Sequence, residues 1–355
     1  MRDAKHILVA PLNWGLGHAS RCVPVIRYLL EKGVHVTVVA ECRPAAMLKQ
    51  EFPGLDFVEF PGYEISYPKG NSMWFKMAWS IPKIIKGVVA EQSALNKFLE
   101  QHRVDGIISD NRYGMYSSKV PAVIITHQLN LQIPRIGKTV SQQIHKYIRR
   151  FDECWIPDYP REQNLAGALS KSDGLQVNTK YIGALSRFAP NPGAEPGSEI
   201  DVLAVLSGPE PQRTIFENLV VTQLSRKNLK VVLVSGKPNE HYKKNVNGIE
   251  VHSSVNSGGL QNLMQRSKMV LCRSGYSSIM DLAVLGKRAV FVPTPGQPEQ
   301  EYLATLHREK QSFFSMSQRD FDWETCMRHL SDYKGVELKQ TDLYKQAVNR
   351  FLEKC

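Results

Sequence analysis

The sequence predicts an α/β protein made of two Rossmann-like domains, each built on a parallel sheet. Three observations lead to this prediction. The chain has 355 residues, more than one hydrophobic core usually serves, so two domains of about 150 residues are expected. Short β-branched runs alternate with helical patterns along most of the chain. Residues 186–199 contain three prolines and two glycines, which makes them the best candidate for a linker.

The first half has a strand–helix–strand beginning. Between its first two strands, Val23, Ile26, Leu29 and Leu30 fall at helical spacing, and Gly33 stands where a C-cap belongs. Such a unit is right-handed and its strands are parallel. Strands are predicted at 6–10, 35–40, 56–60, 105–110, 121–126, 153–157 and 179–183.

The second half repeats this architecture after the linker. Strands are predicted at 200–206, 229–235, 249–254, 268–272 and 288–293. Residues 342–354 are predicted to form one amphipathic helix. The domain limits predicted from these patterns are 1–185, the linker 186–199, and 200–338, followed by a C-terminal segment 339–355.

Composition excludes several classes of protein. With 42% hydrophobic and 22% charged residues, the chain is neither disordered, collagen-like nor a polytopic membrane protein. The six cysteines include no CxxC pair, so neither a zinc site nor a disulfide framework is expected. The first apolar run is too short for a signal peptide, and we expect a cytoplasmic protein.

The charge is positive and uneven. The net charge is +11, and residues 1–190 hold 24 Lys and Arg against 16 Asp and Glu. A basic first half indicates an anionic partner such as a membrane surface, a phosphorylated lipid or nucleic acid, among which charge alone does not choose.

The loop after the first strand, PLNWGLGHASR, allows two interpretations. In one, Gly15 and Gly17 let a dinucleotide approach the backbone, and Glu41 after the second strand binds its ribose. In the other, His18 is a general base oriented by Asp110 at the end of the fourth strand. A structural role is the alternative to both, with His18 capping its helix and Asp110 starting a turn.

Residues 271–303 have the pattern of a nucleotide-sugar site. A loop of mostly small residues leads from a strand into a helix, where free N–H groups suit a diphosphate. Its residues are Arg273, Ser274, Gly275, Tyr276, Ser277 and Ser278. Asp281 follows where a carboxylate would accept from ribose hydroxyls. A hydrogen-bonding cluster suited to the donor sugar comes next: Gln297, Glu299, Gln300 and Glu301.

These motifs resemble those of the GT-B glycosyltransferases, most closely the MurG-type UDP-GlcNAc transferases and the related UDP-glycosyltransferases. RSG, a carboxylate six residues after its Gly, VPTP and a Gln-containing loop carry the resemblance, and GLGH is similar to the family's first Gly-rich loop. The resemblance implies two parallel sheets facing across a cleft, with the segment 339–355 packing back on the N-terminal domain. It places acceptor binding in the first domain and UDP-sugar binding in the second.

The sequence departs from the family pattern after the first strand of the second domain. The expected Gly-rich loop is replaced by SGPEPQR, in which Ser207, Gly208 and Arg213 would take over the phosphate contacts. Asp281 stands where the family usually has Glu. On the acceptor side, the candidates are Asn13, Gly15, Gly17 and His127.

Two basic segments bear on the acceptor. Residues 71–89 combine Trp, Phe, Met and Ile side chains with lysines, and a second basic patch runs from Arg135 to Arg150. Apolar anchors edged with lysine suit an anionic membrane surface or a lipid-linked acceptor, although a core helix with a solvated face has the same pattern. No nucleic-acid motif is present, so nucleic acid is not an expected partner.

The sequence as a whole predicts an inverting glycosyltransferase that moves a sugar, GlcNAc as the best guess, from a UDP-sugar to a hydroxyl acceptor. His18 and Asp110 would be its catalytic residues. The donor motifs of residues 271–303 contain no DxD, so we expect neither a metal nor a cofactor. Two alternatives share the donor site: a nucleotide-sugar hydrolase or epimerase, and a non-catalytic nucleotide-sugar-binding protein.

Overall fold

The structure, a computed structural model, describes residues 4–61, 81–133, 136–189, 199–225, 227–338 and 342–355. It contains two seven-stranded sheets flanked by helices, which confirms the predicted fold class. Residues 62–80, which include most of the apolar segment 71–89, lie outside the described residues, as do Arg135 and residues 190–198 of the predicted linker. The domain limits therefore stay a prediction.

The first sheet is entirely parallel, in the order β3-β2-β1-β4-β5-β6-β7. Its strands are β1 (His6–Pro11), β2 (His35–Val39), β3 (Asp56–Val58), β4 (Gly106–Asp110), β5 (Ala122–Ile125), β6 (Glu153–Ile156) and β7 (Asn178–Tyr181). Helices α1 (Leu16–Glu31), α2 (Cys42–Glu51), α3 (Ile81–Gln101) and α4 (Gly137–Ile148) connect them. Short 3₁₀ turns cover Arg161–Gln163 and Gly167–Ser170.

The second sheet has the order β10-β11-β9-β8-β12-β13-β14, parallel except for the β10–β11 hairpin. Its strands are β8 (Ile200–Val205), β9 (Val231–Val234), β10 (Lys243–Val246), β11 (Ile249–His252), β12 (Ser267–Cys272), β13 (Ala289–Phe291) and β14 (Phe314–Ser315). Its helices are α5 (Gln212–Leu224), α6 (Ser257–Gln265), α7 (Tyr276–Val284), α8 (Pro298–Glu309) and α9 (Trp323–His329), followed by a 3₁₀ turn at Leu330–Asp332.

The C-terminal helix α10 (Leu343–Lys354) packs against the first sheet. The Phe351 ring meets Trp155 edge-on, with ring centroids 5.8 Å apart. Gly106 of β4 leaves room for this ring, since a Cβ there would lie 2.7 Å from Phe351 Cζ. A hydrogen bond of 3.0 Å from Tyr28 to Asn349 ties α10 to α1.

The strand order of each sheet reverses beside its first strand, between β1 and β4 in one and between β8 and β12 in the other. In open parallel sheets, ligands bind beyond the carboxyl ends of the strands at this point. Both switch points coincide with loops that the sequence singled out: residues 12–15 and Asp110 in the first half, residues 207–211 and 273–275 in the second.

Candidate active site

His18 and Asp110 meet at the switch point of the first sheet. Asp110 is the last residue of β4, lies opposite Pro11 of β1 and is fully buried. His18 stands in the first turn of α1, which begins after Gly15, whose φ of 79° is easily reached by glycine. The His18 Nδ1 atom lies 2.6 Å from Asp110 Oδ1, and the His18 side chain keeps 12% of its exposure. The structure thus brings the two predicted residues together.

Arg21 completes this pair and was missed in the sequence analysis. It follows His18 by three residues, so both side chains lie on one face of α1. The guanidinium is buried and bonds both oxygens of Asp110, through Nε to Oδ2 and through Nη2 to Oδ1. The sequence feature that could have revealed Arg21 is a charged residue on the apolar face of a predicted helix.

Hydrogen-bond partners determine the tautomer of His18. The buried Asp110 carboxylate only accepts, so Nδ1 of His18 carries the proton. Burial, together with the neighbouring Arg21 charge, holds the pKa of His18 below its usual range. Burial alone would raise the pKa of Asp110, but Arg21 and His18 outweigh it and lower that pKa. At neutral pH, His18 is therefore a neutral imidazole with an Nε2 lone pair, which bonds no group of the described chain.

A second polar contact reaches across to the other sheet. Arg21 Nη1 lies 3.2 Å from His127 Nδ1, so His127 accepts there and its Nε2 donates to Glu299 at 3.1 Å. Gln128 donates to the second oxygen of Glu299. Burial would raise the pKa of Glu299, but His127, Gln128 and Arg21 bring it to about 2. The carboxylate of Glu299 thus accepts from two residues of the first half, and its contact with the donor sugar stays a prediction.

The loop into α7 lies against the first Gly-rich loop. Ser277 Oγ donates to the Gly17 carbonyl at 2.9 Å, and a Cβ on Gly17 would lie 3.0 Å from the same Oγ. Gly275 has open space where a Cβ would be, and Ser277 and Ser278 are partly exposed. The N-terminus of α7 therefore faces the loop that carries His18.

Other residues of this loop are engaged by the protein. Ser274 is buried and donates to the Gln300 carbonyl at 2.7 Å. Tyr276 is buried, stacks on His127 with centroids 4.1 Å apart and donates to the Pro157 carbonyl. The Tyr276 side chain thus packs between the two sheets, and its contact with the diphosphate stays a prediction.

Arg273 also has a structural role. Its guanidinium is fully buried, donates to the carbonyls of Val292 and Gln212 at 2.9 Å, and lies 4.2 Å from the ring centre of Phe216. Burial lowers the pKa of Arg273 to about 9. Backbone carbonyls and an aromatic face contact the Arg273 guanidinium in this structure, and its contact with the diphosphate stays a prediction.

Arg213 and Asp281 are likewise paired within the protein. Arg213 is buried between Glu210 and Glu217, with 2.7 Å to the latter. The carboxylate of Asp281 is buried and accepts from Ser186 Oγ at 2.6 Å and from Arg187 Nε at 3.3 Å. Both charged groups therefore have protein partners in this structure, and their contacts with phosphate and ribose stay predictions.

The remaining predicted residues border the space between the sheets. Gly208 has a φ of 104° and lies beside Thr294, and Ser207 is partly exposed. Gln300 is buried and accepts from the Thr294 N–H at 2.8 Å, while Glu301 accepts from the Gly296 N–H at 2.8 Å. Asn13, Gly15 and Gln297 are at least partly exposed. Within the described ranges, no group of three or more His, Cys, Asp or Glu side chains is placed to hold a metal ion.

Comparisons with known proteins show which class of protein the chain is similar to. Residues 204–332 match the glycosyltransferase family 28 C-terminal domain. The protein is a MurG-like glycosyltransferase of the GT-B fold. An uncharacterized glycosyltransferase of Methanosarcina mazei is 22% identical to it over 86% of this chain and 83% of its own length.

Further relatives cover nearly the whole glycosyltransferase. The UDP-N-acetylglucosamine–N-acetylmuramyl-(pentapeptide) pyrophosphoryl-undecaprenol N-acetylglucosamine transferase of Actinobacillus pleuropneumoniae serotype 5b is 22% identical, over 97% of this chain and 94% of its own. The solved structure of the kitacinnamycin glycotransferase aligns with a TM-score of 0.62 at 15% identity, over 99% and 96% of the two chains. Acinetobacter baumannii MurG aligns with a TM-score of 0.52 at 12% identity, over 99% and 94%.

Proposed function

We propose that this glycosyltransferase moves a sugar, with GlcNAc as the best candidate, from a UDP-sugar to an acceptor hydroxyl with inversion at the anomeric carbon. The observation that carries the proposal is the His18–Asp110 pair at the carboxyl ends of β1 and β4, opposite the N-terminus of α7. The similarity to transferases named for UDP-N-acetylglucosamine supports the choice of donor.

The proposed chemistry follows from the tautomer of His18. Its Nε2 takes the proton from the acceptor hydroxyl while the hydroxyl oxygen attacks the anomeric carbon. The bond from that carbon to the diphosphate oxygen breaks, and UDP leaves with the electron pair. Asp110 stabilises the imidazolium that forms, and its carboxylate remains ionised because Arg21 holds it.

The donor would lie over the second switch point. Gly208 and Gly275 let the ligand approach the backbone, and the free N–H groups at the start of α7 favour the diphosphate charge. We propose that preorganised protein charge, without a bound metal, stabilises the leaving group.

We further propose that the acceptor is lipid-linked and lies at an anionic membrane surface on the cytoplasmic side. Lys138 and Lys146 on α4, with Arg149 and Arg150 after it, are exposed and form a basic patch on the first half of the chain. Such a patch attracts anionic lipid headgroups. No helix in the described part of the chain is long and apolar enough to cross a membrane.

A thermal-shift panel of UDP, UDP-GlcNAc, UDP-Glc, GDP, TDP and NAD tests the donor half. A ligand at 100 times its dissociation constant stabilises the native state by about 2.7 kcal/mol. We expect UDP and its sugars to raise Tm and the other nucleotides to have little effect. A response to NAD alone would overturn the proposal in favour of a dinucleotide site at Gly15, Gly17 and Glu41. Release of UDP at the same rate with and without any acceptor would indicate a hydrolase.

A further inference from the structure

The diphosphate of the donor needs positive charge nearby. The two arginines that the sequence predicted for this role, both in the second half, are already engaged by protein groups. Arg213 is neutralised by Glu210 and Glu217, and Arg273 is buried against carbonyl groups. A diphosphate that leaves with the sugar–oxygen electron pair gains negative charge in the transition state, so cations nearby accelerate the reaction.

Arg43 of the first half reaches this region from the opposite side of the cleft. It lies in the first turn of α2, after β2, and its Nη2 donates to the carbonyl of Gly236 at 2.6 Å. Gly236 follows β9 and packs closely on the backbone of Leu206, the residue before Ser207. A Cβ on Gly236 would lie only 2.3 Å from the Leu206 carbonyl oxygen. The guanidinium of Arg43 is therefore held beside the loop of Ser207 and Gly208.

The guanidinium of Arg43 has no direct ion pair with a carboxylate of the described residues. Arg43 is partly buried. Burial lowers the pKa of Arg43, the positive charge of Arg213 lowers it further, and the negative charge of Glu210 partly offsets both. A guanidinium in a partly desolvated place is stabilised when an anion binds it directly.

Two buried hydroxyl groups at the same sheet edge point to a ligand as well. Ser235 follows β9 and Thr294 lies three residues beyond β13, and both are buried. Within the described chain, neither Ser235 Oγ nor Thr294 Oγ1 has a hydrogen-bond partner. Thr294 Oγ1 lies 3.8 Å from the position of a Cβ on Gly208. Buried polar groups without a protein partner indicate a site for a polar ligand or water.

We propose that Arg43 binds the diphosphate of the nucleotide-sugar donor from across the cleft. The inference rests on the proposed function and extends it, because the first half, which carries the base, then also supplies a cation for the leaving group. Arg43 uses one N–H donor on Gly236 and retains others for phosphate oxygens. Donor binding and the approach of the two halves are thereby coupled.

Isothermal titration of the full-length protein with UDP and UMP tests the proposal. Replacing Arg43 by Gln removes the charge, and Arg43→Lys retains it with fewer donors. Lys49→Gln is the matched control, since it removes one positive charge from an exposed position of the same helix. We expect Arg43→Gln to weaken UDP binding about 10- to 100-fold and UMP binding much less, with Arg43→Lys intermediate and Lys49→Gln unchanged.

The outcomes separate this inference from the proposed function. Wild-type affinity of Arg43→Gln for UDP would overturn the inference alone. Equal losses for UDP and UMP would assign Arg43 a structural role and overturn it too. If the wild-type protein binds neither nucleotide, the uridine donor and this inference fail together.

Discussion

At the scale of single residues, the proposed base depends on two side chains, His18 and Arg21, that share the buried carboxylate of Asp110. The Asp110 carboxylate accepts one hydrogen bond from Nδ1 of His18 and two from the Arg21 guanidinium. Four hydrogen-bonding sites on a carboxylate allow this sharing. The Arg21 charge also opposes protonation of His18, so the imidazole remains a base below the pH at which a free histidine would be charged.

This arrangement predicts that His18→Ala lowers kcat by roughly 10²- to 10⁴-fold, because the acceptor hydroxyl loses its general base. The affinity for UDP should change less than twofold, since His18 does not contact the predicted donor loops. Steady-state kinetics with a UDP-sugar and titration with UDP measure the two quantities. His102→Ala is the control, because it removes an exposed histidine that is distant from His18 in the sequence. Loss of UDP affinity in parallel with kcat would contradict the base assignment.

The candidate site shows what sequence reasoning can and cannot reach at this scale. His18 and Asp110 could be brought together in advance because both follow parallel strands whose carboxyl ends share an edge. Arg273 and Asp281 fit a ligand by position, but their partners come from Val292 and Ser186, distant in sequence. Only three-dimensional packing determines which polar group a charged side chain meets.

At the scale of elements, the sequence predicted the central buried strands, and it missed β10 and β14. Central parallel strands are covered on both faces, so they are apolar throughout, as Ile7–Ala10 and Val231–Val234 are. Strand β10, with the sequence KKNV, is mostly exposed and was missed. Strand β14 has only two residues, too few for any periodicity.

The packing of helix α10 on the first sheet leads to a prediction about stability. Phe351 is fully buried and fills the space that Gly106 leaves beside Trp155. Phe351→Ala should lower the free energy of unfolding by about 3–5 kcal/mol, through lost burial and the cavity that remains. Urea denaturation measures this, with Glu353→Ala at an exposed position as the control. A change below about 1 kcal/mol would mean that α10 contributes little to the first sheet.

At the scale of the whole molecule, the two halves share apolar core packing and are also joined by polar contacts. Ser277 donates to the Gly17 carbonyl, and His127 donates to Glu299. The Ala168 N–H donates to the Tyr302 hydroxyl oxygen at 2.8 Å. Polar contacts of this kind exchange readily with water, so the two halves are suited to separating and closing around substrates.

Another contact between the two halves, made by His307, makes the free energy of unfolding depend on pH. His307 of α8 is buried and donates from Nε2 to the Leu165 carbonyl at 2.9 Å, while its Nδ1 has no partner in the described chain. Burial lowers the pKa of His307 to about 4, against about 6.5 in the unfolded chain. Between these values the unfolded state binds more protons, so stability is present above about pH 6.5 and is lost as the pH falls toward 4.

We therefore expect wild-type protein to lose about 2 kcal/mol more stability than His307→Gln between pH 7 and pH 5. The glutamine amide keeps a donor for Leu165 but does not titrate, so the remaining carboxylates affect both proteins alike. Urea denaturation at the two pH values gives the comparison. Parallel losses in the two proteins would show that His307 is not buried as a neutral side chain, and that α8 does not hold the two halves together at this point.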